Sequence, residues 1–225
     1  MKNYSLFVEA RRIPYGHGFI GDACAASGGE RCRWPSKIGI GGWLFKPGVT
    51  SRNEVEWFAE EITVEIFPWL AAFEEGHRAI AAMEMLVVAV CLKLWGKLWP
   101  PGEVCIPTLT DNLGNVYALG KWYTKEPPSA WVLREVAAEA TALGHELIVE
   151  HVRGVDNTWA DELSRGYLEG FSRSLRREPL LAQDGYWRTP LRGHTALQLV
   201  ARAKARAAKR ARTAADLTVG HSSLQ

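Results

Sequence analysis

The chain reads as blocks of apolar residues whose spacing switches between the strand and helix periods. Residues 18–23 (GFIGDA) form a short strand pattern, followed by a polar, Gly-rich loop through Ser36. Lys37–Phe45 (KIGIGGWLF) resumes as a strand, and Glu54–Ile66 is a further extended, alternating stretch. A helix is predicted over about Glu74–Trp99, with Pro100-Pro101 as its stop. Thr108–Thr110 is a short strand, and Pro107 just before it limits how far its ladder can extend. Asn115–Thr124 and Ser129–Leu143 are helical, the second preceded by Pro127-Pro128 and ended by Gly144. Glu146–Val152 (ELIVEHV) alternates as a strand, and a Gly-containing loop leads into a helix near Thr158–Ser164. Strands, helix, strand, helices, strand, helix: this order predicts a mixed α/β domain, and no internal repeat interrupts it.

Charge divides the chain in two. Residues 1–168 carry 16 Lys/Arg against 21 Asp/Glu, whereas residues 169–225 carry 11 against 4. The expected organisation is therefore a mildly acidic domain over 1–168 and a basic tail over 169–225. Within the tail, Ala196–Leu217 is Ala-rich, with Arg202, Lys204, Arg206, Lys209, Arg210 and Arg212 spread around the helical wheel. Few apolar anchors accompany them, so this reads as a solvated helix, or one that forms on binding. Such charge asymmetry points to an anionic partner such as nucleic acid.

The 225 residues, 47% hydrophobic with ten tryptophans, can bury a substantial core, which argues against disorder throughout. Cys24, Cys32, Cys91 and Cys105 include no C-x-x-C pair, so zinc sites and disulfide frameworks read poorly and reduced thiols are expected. The first residues lack the apolar stretch of a secretion signal. The longest apolar run, Ala79–Leu92, is broken by Glu84 and is too short to span a membrane. An intracellular protein of cytoplasm or nucleus is expected.

Four acids stand in unusual places. Glu84 is the sole charge within Ala79–Leu92, and helical spacing aligns it with Ile80, Val87, Cys91 and Leu94, a stripe that should face the core. A partly exposed Glu, or one paired with an arginine, would also satisfy the pattern. Asp111 ends the run Thr108-Leu109-Thr110, a usual position for a ligand-binding group in α/β proteins and equally for a turn-forming Asp. Asp22 interrupts a small, apolar strand and could be an exposed strand-edge acid. Asp161 follows Asn157-Thr158, a good N-cap region, and could simply complement the helix dipole.

Taken together, the segments GDACAAS, AAMEMLVVAVCL, TLTDN and HVRGVDNTWADELSRG, in that order, resemble the ribonuclease H domain of retroelement (retrotransposon-type) reverse transcriptases. The last segment is the most specific: a strand ending in H-x-x-G, a short loop with Asn, then A-D-x-L-S-R. The resemblance covers roughly residues 17–166. It implies a ribonuclease H-like mixed five-stranded sheet flanked by helices, here with a basic C-terminal extension. It matches Asp22 to the first-strand acid and Glu84 to the acid of the long helix. Asp111 matches the acid ending the next strand, and Asp161 the acid of the last helix.

The activity so implied is metal-dependent hydrolysis of the RNA strand of an RNA–DNA hybrid. Two Mg²⁺ ions about 4 Å apart can activate water, relieve phosphate charge and stabilise the leaving oxygen. Mn²⁺ is an expected substitute. Mg²⁺ takes oxygen ligands, and four converging carboxylates would otherwise repel one another. By resemblance Asp22 would bridge both ions, with Glu84 and Asp111 on one and Asp161 on the other. Selectivity for RNA requires contacts to 2′-hydroxyls across the minor groove. Small residues after Asp22, Ala23 and Ala25, would let backbone groups approach that groove. Asn112 is a further candidate contact, with turn formation as its alternative, and Lys121, Trp122 and Arg153 could touch the DNA strand.

Three departures stand out. The loop Gly154-Val155-Asp156-Asn157 has no His where many ribonucleases H carry one that helps product leave, and His151 reads as structural. The loop Cys24–Ser36 is longer and more basic than the usual connection, and Val55–Arg78 is also long. A non-catalytic or domesticated nucleic-acid-binding module on the same fold is the competing reading. A proofreading exonuclease would want D-x-E where Asp22-Ala23-Cys24 stands, and an integrase a Glu at position 161.

Overall fold

The computed structural model describes residues 16–26, 31–73, 79–102, 104–125 and 127–193, with 198, 201 and 205. The basic tail helix expected over Ala196–Leu217 and the first turn expected from Glu74 lie largely outside the described residues.

Five strands form one sheet in the order β3-β2-β1-β4-β5: β1 Gly18–Ala25, β2 Ile38–Phe45, β3 Glu56–Glu61, β4 Val104–Thr110 and β5 His145–His151. β1, β2 and β3 form an antiparallel meander, while β4 joins β1, and β5 joins β4, in parallel. Helix α1 (Ile80–Trp95) links β3 to β4, and α2 (Leu113–Gly120) with α3 (Ser129–Leu143) links β4 to β5. Helix α4 (Thr158–Ser164) follows β5. This is the mixed five-stranded, helix-flanked, ribonuclease H-like sheet that the sequence led us to expect.

Both faces of the sheet are covered, and β3 shows how its sequence arranges this. Phe58 enters the main core, which α1 dominates, whereas its neighbours Trp57 and Ala59 join Leu163 of α4 and Phe171 in a second cluster. Every residue of α1 from Ala82 to Leu92 is buried, which explains how a helix with three valines is held: packing outweighs propensity. α3 ends at Gly144, which adopts φ 71°, as a terminal glycine should.

Several boundaries differ from expectation. The α-helix predicted to Trp99 ends at Trp95 and tightens into a 3-10 turn over Gly96–Leu98, well before the two prolines. The extended stretch expected over Glu54–Ile66 keeps only Glu56–Glu61 as strand, and a 3-10 turn occupies Pro68–Ala72. The helix expected over Asn115–Thr124 starts at Leu113 and ends at Gly120. β4 runs through Pro107 instead of beginning after it. Its ladder with β1 starts one residue later, at Phe19↔Thr108, so the missing N–H removes no β1–β4 pair.

Residues beyond 168 pack on this domain. Phe171, Leu181 and Leu191 are buried, and Arg177 N–H bonds the carbonyl of Trp57 at 2.7 Å beside an isolated bridge from Arg176 to Trp57. The segment thus covers the outer edge of β3, which would otherwise present unpaired backbone groups. Further along, Lys93 is buried between Glu135 and Glu139 at 2.8 Å from each. Glu135 also accepts from the N–H groups of Arg188 and Thr189, so the segment is tied to α3 by charge as well as by apolar contact. Among the described residues all four cysteines are buried and none forms a disulfide, and no helix is long and apolar enough to cross a membrane.

Candidate active site

β1 is the central strand, so Asp22 is not a strand-edge acid; it is 6% exposed. The parallel ladder between β1 and β4 spans only Phe19↔Thr108 and Ile20↔Leu109. Beyond it the two strands part. Asp22 stands two residues past the last pair on β1, and Asp111 two residues past it on the β4 side. The opening between parallel neighbours at their carboxyl ends is where α/β sheets commonly hold ligands.

Two close approaches bring helices to this opening. A Cβ on Gly21 would lie 2.0 Å from Val87 Cγ1, so only glycine lets α1 settle this near β1 and carry Glu84 to the site. A Cβ on Gly41 would lie 2.5 Å from the backbone N of Ser164, so α4 rests directly on β2, with Asp161 on its first turn.

The result is a cluster in which Asp22, Glu84 and Asp111 each offer an oxygen within 4.8 Å of the others. Burial, then the charges of Asp111 and Glu84, push the Asp22 carboxyl up to about 8. Glu84 rises to about 7, first through burial and then through Asp111. Asp111 Oδ1 is buried with no hydrogen-bond partner. A buried carboxylate oxygen without a donor is costly, and three such acids repel one another. An oxygen-liganded divalent cation would relieve both penalties, so these residues fit such an ion. Asp161 is near enough to raise Asp22 further, but its Oδ1 is held 2.7 Å from Arg165 Nε and it stands outside the three-acid group.

Positioning of the acids was only partly visible in the sequence. Asn115, 3% exposed, donates through Nδ2 to Glu84 Oε2 at 3.2 Å and to the Ala81 carbonyl at 2.9 Å. Its signal was a polar residue one turn after Asp111 in a helix that must bury one face. Asn112 is the N-cap of α2, its Oδ1 accepting from Asn115 N at 3.1 Å, and its side chain also bonds Glu84. His151 donates from Nε2 to the Asp111 carbonyl at 3.1 Å, in keeping with the structural reading. Asn157 is not a side-chain cap: it is 1% exposed, and neither amide atom has a partner.

The remaining candidates scatter. Ala23 is buried in the main core, and its N–H is given to Asp22 Oδ1 at 2.8 Å; Ala25 is half-buried at the strand's end. Lys121 is exposed beside Tyr117, and Trp122 is 44% exposed with a left-handed φ of 51°. Such a backbone is uncommon for a bulky residue. Arg153 is exposed and paired with Asp156 at 2.7 Å.

No protein-family model matches the chain, and no curated protein matches it. Among solved structures it is similar to the N-terminal RNase H domain of a Mycobacterium tuberculosis protein, solved as a fusion with maltose binding protein. That match has 18% identity and a TM-score of 0.43 and covers 68% of this chain and 94% of the other. RNase H1 of Halobacterium salinarum matches at 16% identity and a TM-score of 0.41, over 68% and 97% of the two chains. LC11-RNase H1, solved in complex with an RNA/DNA hybrid, matches at 18% and 0.42, over 65% and 92%. Likeness at this level carries no argument about the site, so the fold rests on the chain's own strand order and connections.

Proposed function

We propose that the chain is a metal-dependent nuclease that hydrolyses the RNA strand of RNA–DNA hybrids. The observation that carries this reading is the convergence of Asp22, Glu84 and Asp111 from three separate elements, with an unpartnered buried oxygen among them. These three, with Asp161, would hold two Mg²⁺ ions, or Mn²⁺ in their place. When bound, the ions would supply a nucleophilic water and stabilise charge on the phosphate and leaving oxygen.

The protein's own part is placement. Asn115 and Asn112 hold the Glu84 carboxylate through hydrogen bonds. His151 fixes the backbone at Asp111, and the α4–β2 contact fixes Asp161. Ala25, Asn112, Lys121, Trp122 and Arg153 are proposed nucleic-acid contacts, and Ala23 acts through the Asp22 hydrogen bond to its backbone. Exposed Trp122 beside Lys121 suits a sugar or base face next to a phosphate. The A-D-x-L-S-R segment supports a retroelement reverse-transcriptase type, and the basic residues after 193 support a further contact with nucleic acid. Residues 1–168 with the packed segment that follows would form the catalytic domain.

The test is cleavage of a labelled RNA–DNA hybrid by the full chain beside Asp111→Asn. Removing that carboxylate should abolish hydrolysis. A variant that still cleaves would overturn the assignment, as would no cleavage by the wild type in any divalent metal.

A further inference from the structure

Asp161 differs from the other three acids in having a cation supplied by the chain itself. Its Oδ1 accepts from Arg165 Nε at 2.7 Å, one helical turn on. The same guanidinium donates through Nη1 to the Arg31 carbonyl at 3.3 Å, and its charge reaches Asp22 as well. Its backbone is pinned, with the Arg165 carbonyl accepting from Arg33 N at 2.9 Å and the Ser164 carbonyl from Trp34 Nε1 at 2.8 Å. Among the described residues, no ion pair joins Asp22, Glu84 or Asp111 to a cation.

Resting on the two-ion reading above, we propose that Arg165 competes with the second metal ion: its guanidinium neutralises Asp161 in the metal-free protein and must swing aside before an ion can bind there. A guanidinium held on this carboxylate weakens the binding of a divalent cation to it, because the two like charges repel at that distance. The pair is also built to part. Its side chains are 28% and 42% exposed, and partly exposed pairs are weak. An open hollow of about 440 Å³ adjoins it and gives the displaced guanidinium room in solvent, although its acids Glu162 and Glu169 already pair with Arg52 and Arg33. Loading is therefore ordered. The first ion enters the three-acid cluster, and the second binds more weakly because it must displace Arg165. Arg165 acts through Asp161 and is a positioning residue.

The experiment is Mn²⁺ binding to the full chain, followed by the free-ion electron paramagnetic resonance signal, for wild type, Arg165→Gln and Asp161→Asn. Wild type should show one tighter and one weaker class of site. Arg165→Gln should tighten only the weaker class, by roughly three- to fivefold, the scale of a partly exposed ion pair. Asp161→Asn should lose that class. An unchanged weaker class in Arg165→Gln, or an equal shift in both classes, overturns the proposal while leaving the nuclease reading intact. No binding by wild type overturns the nuclease reading itself. A readout independent of folding in the variant comes from nitrogen-15 spectra of wild type. The Arg165 Nε–H signal should be unmoved by the first equivalent of Mg²⁺ and should shift with the second. A signal that stays fixed through both equivalents contradicts the proposal.

Discussion

Asp22 lies directly opposite Gly41 across the β1–β2 ladder. The pairing joins the most buried acid of the site to the residue whose missing side chain admits α4. A methyl group on Gly41 would meet Leu163 Cβ and the Ser164 backbone N, each at 2.5 Å, and backbone cannot yield as a flexible side chain can. Gly41→Ala should therefore push α4, and Asp161 with it, away from Asp22. Overpacking of this kind costs about 1–3 kcal/mol. Thermal melts should show that modest loss, while hybrid cleavage falls by more than tenfold. Cleavage at the wild-type rate in a destabilised variant would show that α4 need not sit this close.

The acid cluster makes stability depend on pH and on metal together. Unfolded, Asp22 and Glu84 release their protons near 3.8 and 4.5; folded, they hold them to about 8 and about 7. Between those values the unfolded chain binds fewer protons, so stability falls as pH rises. In a chelator, the unfolding free energy should fall between about pH 5 and pH 8 by an amount on the order of a few kcal/mol, and the melting temperature should drop with it. Mg²⁺ should restore it, most strongly at the upper end, with release of protons on binding. Asp22→Asn should flatten the slope. A metal-free protein that is most stable near pH 8 would refute this account of the cluster.

Segment 169–193 and the remainder of the tail should separate on truncation. Ending the chain at 168 would remove Phe171, Leu181 and Leu191 from the core and leave Lys93, Glu135 and Glu139 without Arg188. That chain should unfold or aggregate through the bared edge of β3. Ending it at 193 should keep the melting temperature and lose the six Lys/Arg from Arg202 to Arg212. Hybrid binding should then weaken, with a shallower dependence on salt. An unchanged salt slope would separate the basic tail from nucleic acid.

The sequence disclosed most where a side chain contradicts its surroundings. Glu84 was legible because thirteen apolar neighbours in Ala79–Leu92 leave a carboxylate no ordinary reason to be there, and the buried Glu84 confirms that contradiction. Asp22 and Asp111 were ambiguous because a strand pattern does not say which neighbour lies beside it; the parting of β1 from β4 is a tertiary fact. Gly21 and Gly41, which seat α1 and α4, read only as strand residues, since close approach is invisible without the partner helix. Asn157 misled because an Asn before a helix usually caps it, and here the side chain turns inward. Charge counting placed a boundary at 168, yet an arginine that pairs with a buried glutamate belongs to the core it ties down. Arg165 stood within the most specific motif and received no role, because its partner lies on its own helix, where i,i+4 pairs are ordinary.

The most direct measurement is strand-resolved cleavage of a hybrid whose RNA and DNA strands carry different fluorophores, with and without Mg²⁺. The RNA strand alone should be cut, at internal positions, only when the cation is present. Cutting of the DNA strand, or cutting of RNA that persists in excess chelator, would contradict the account.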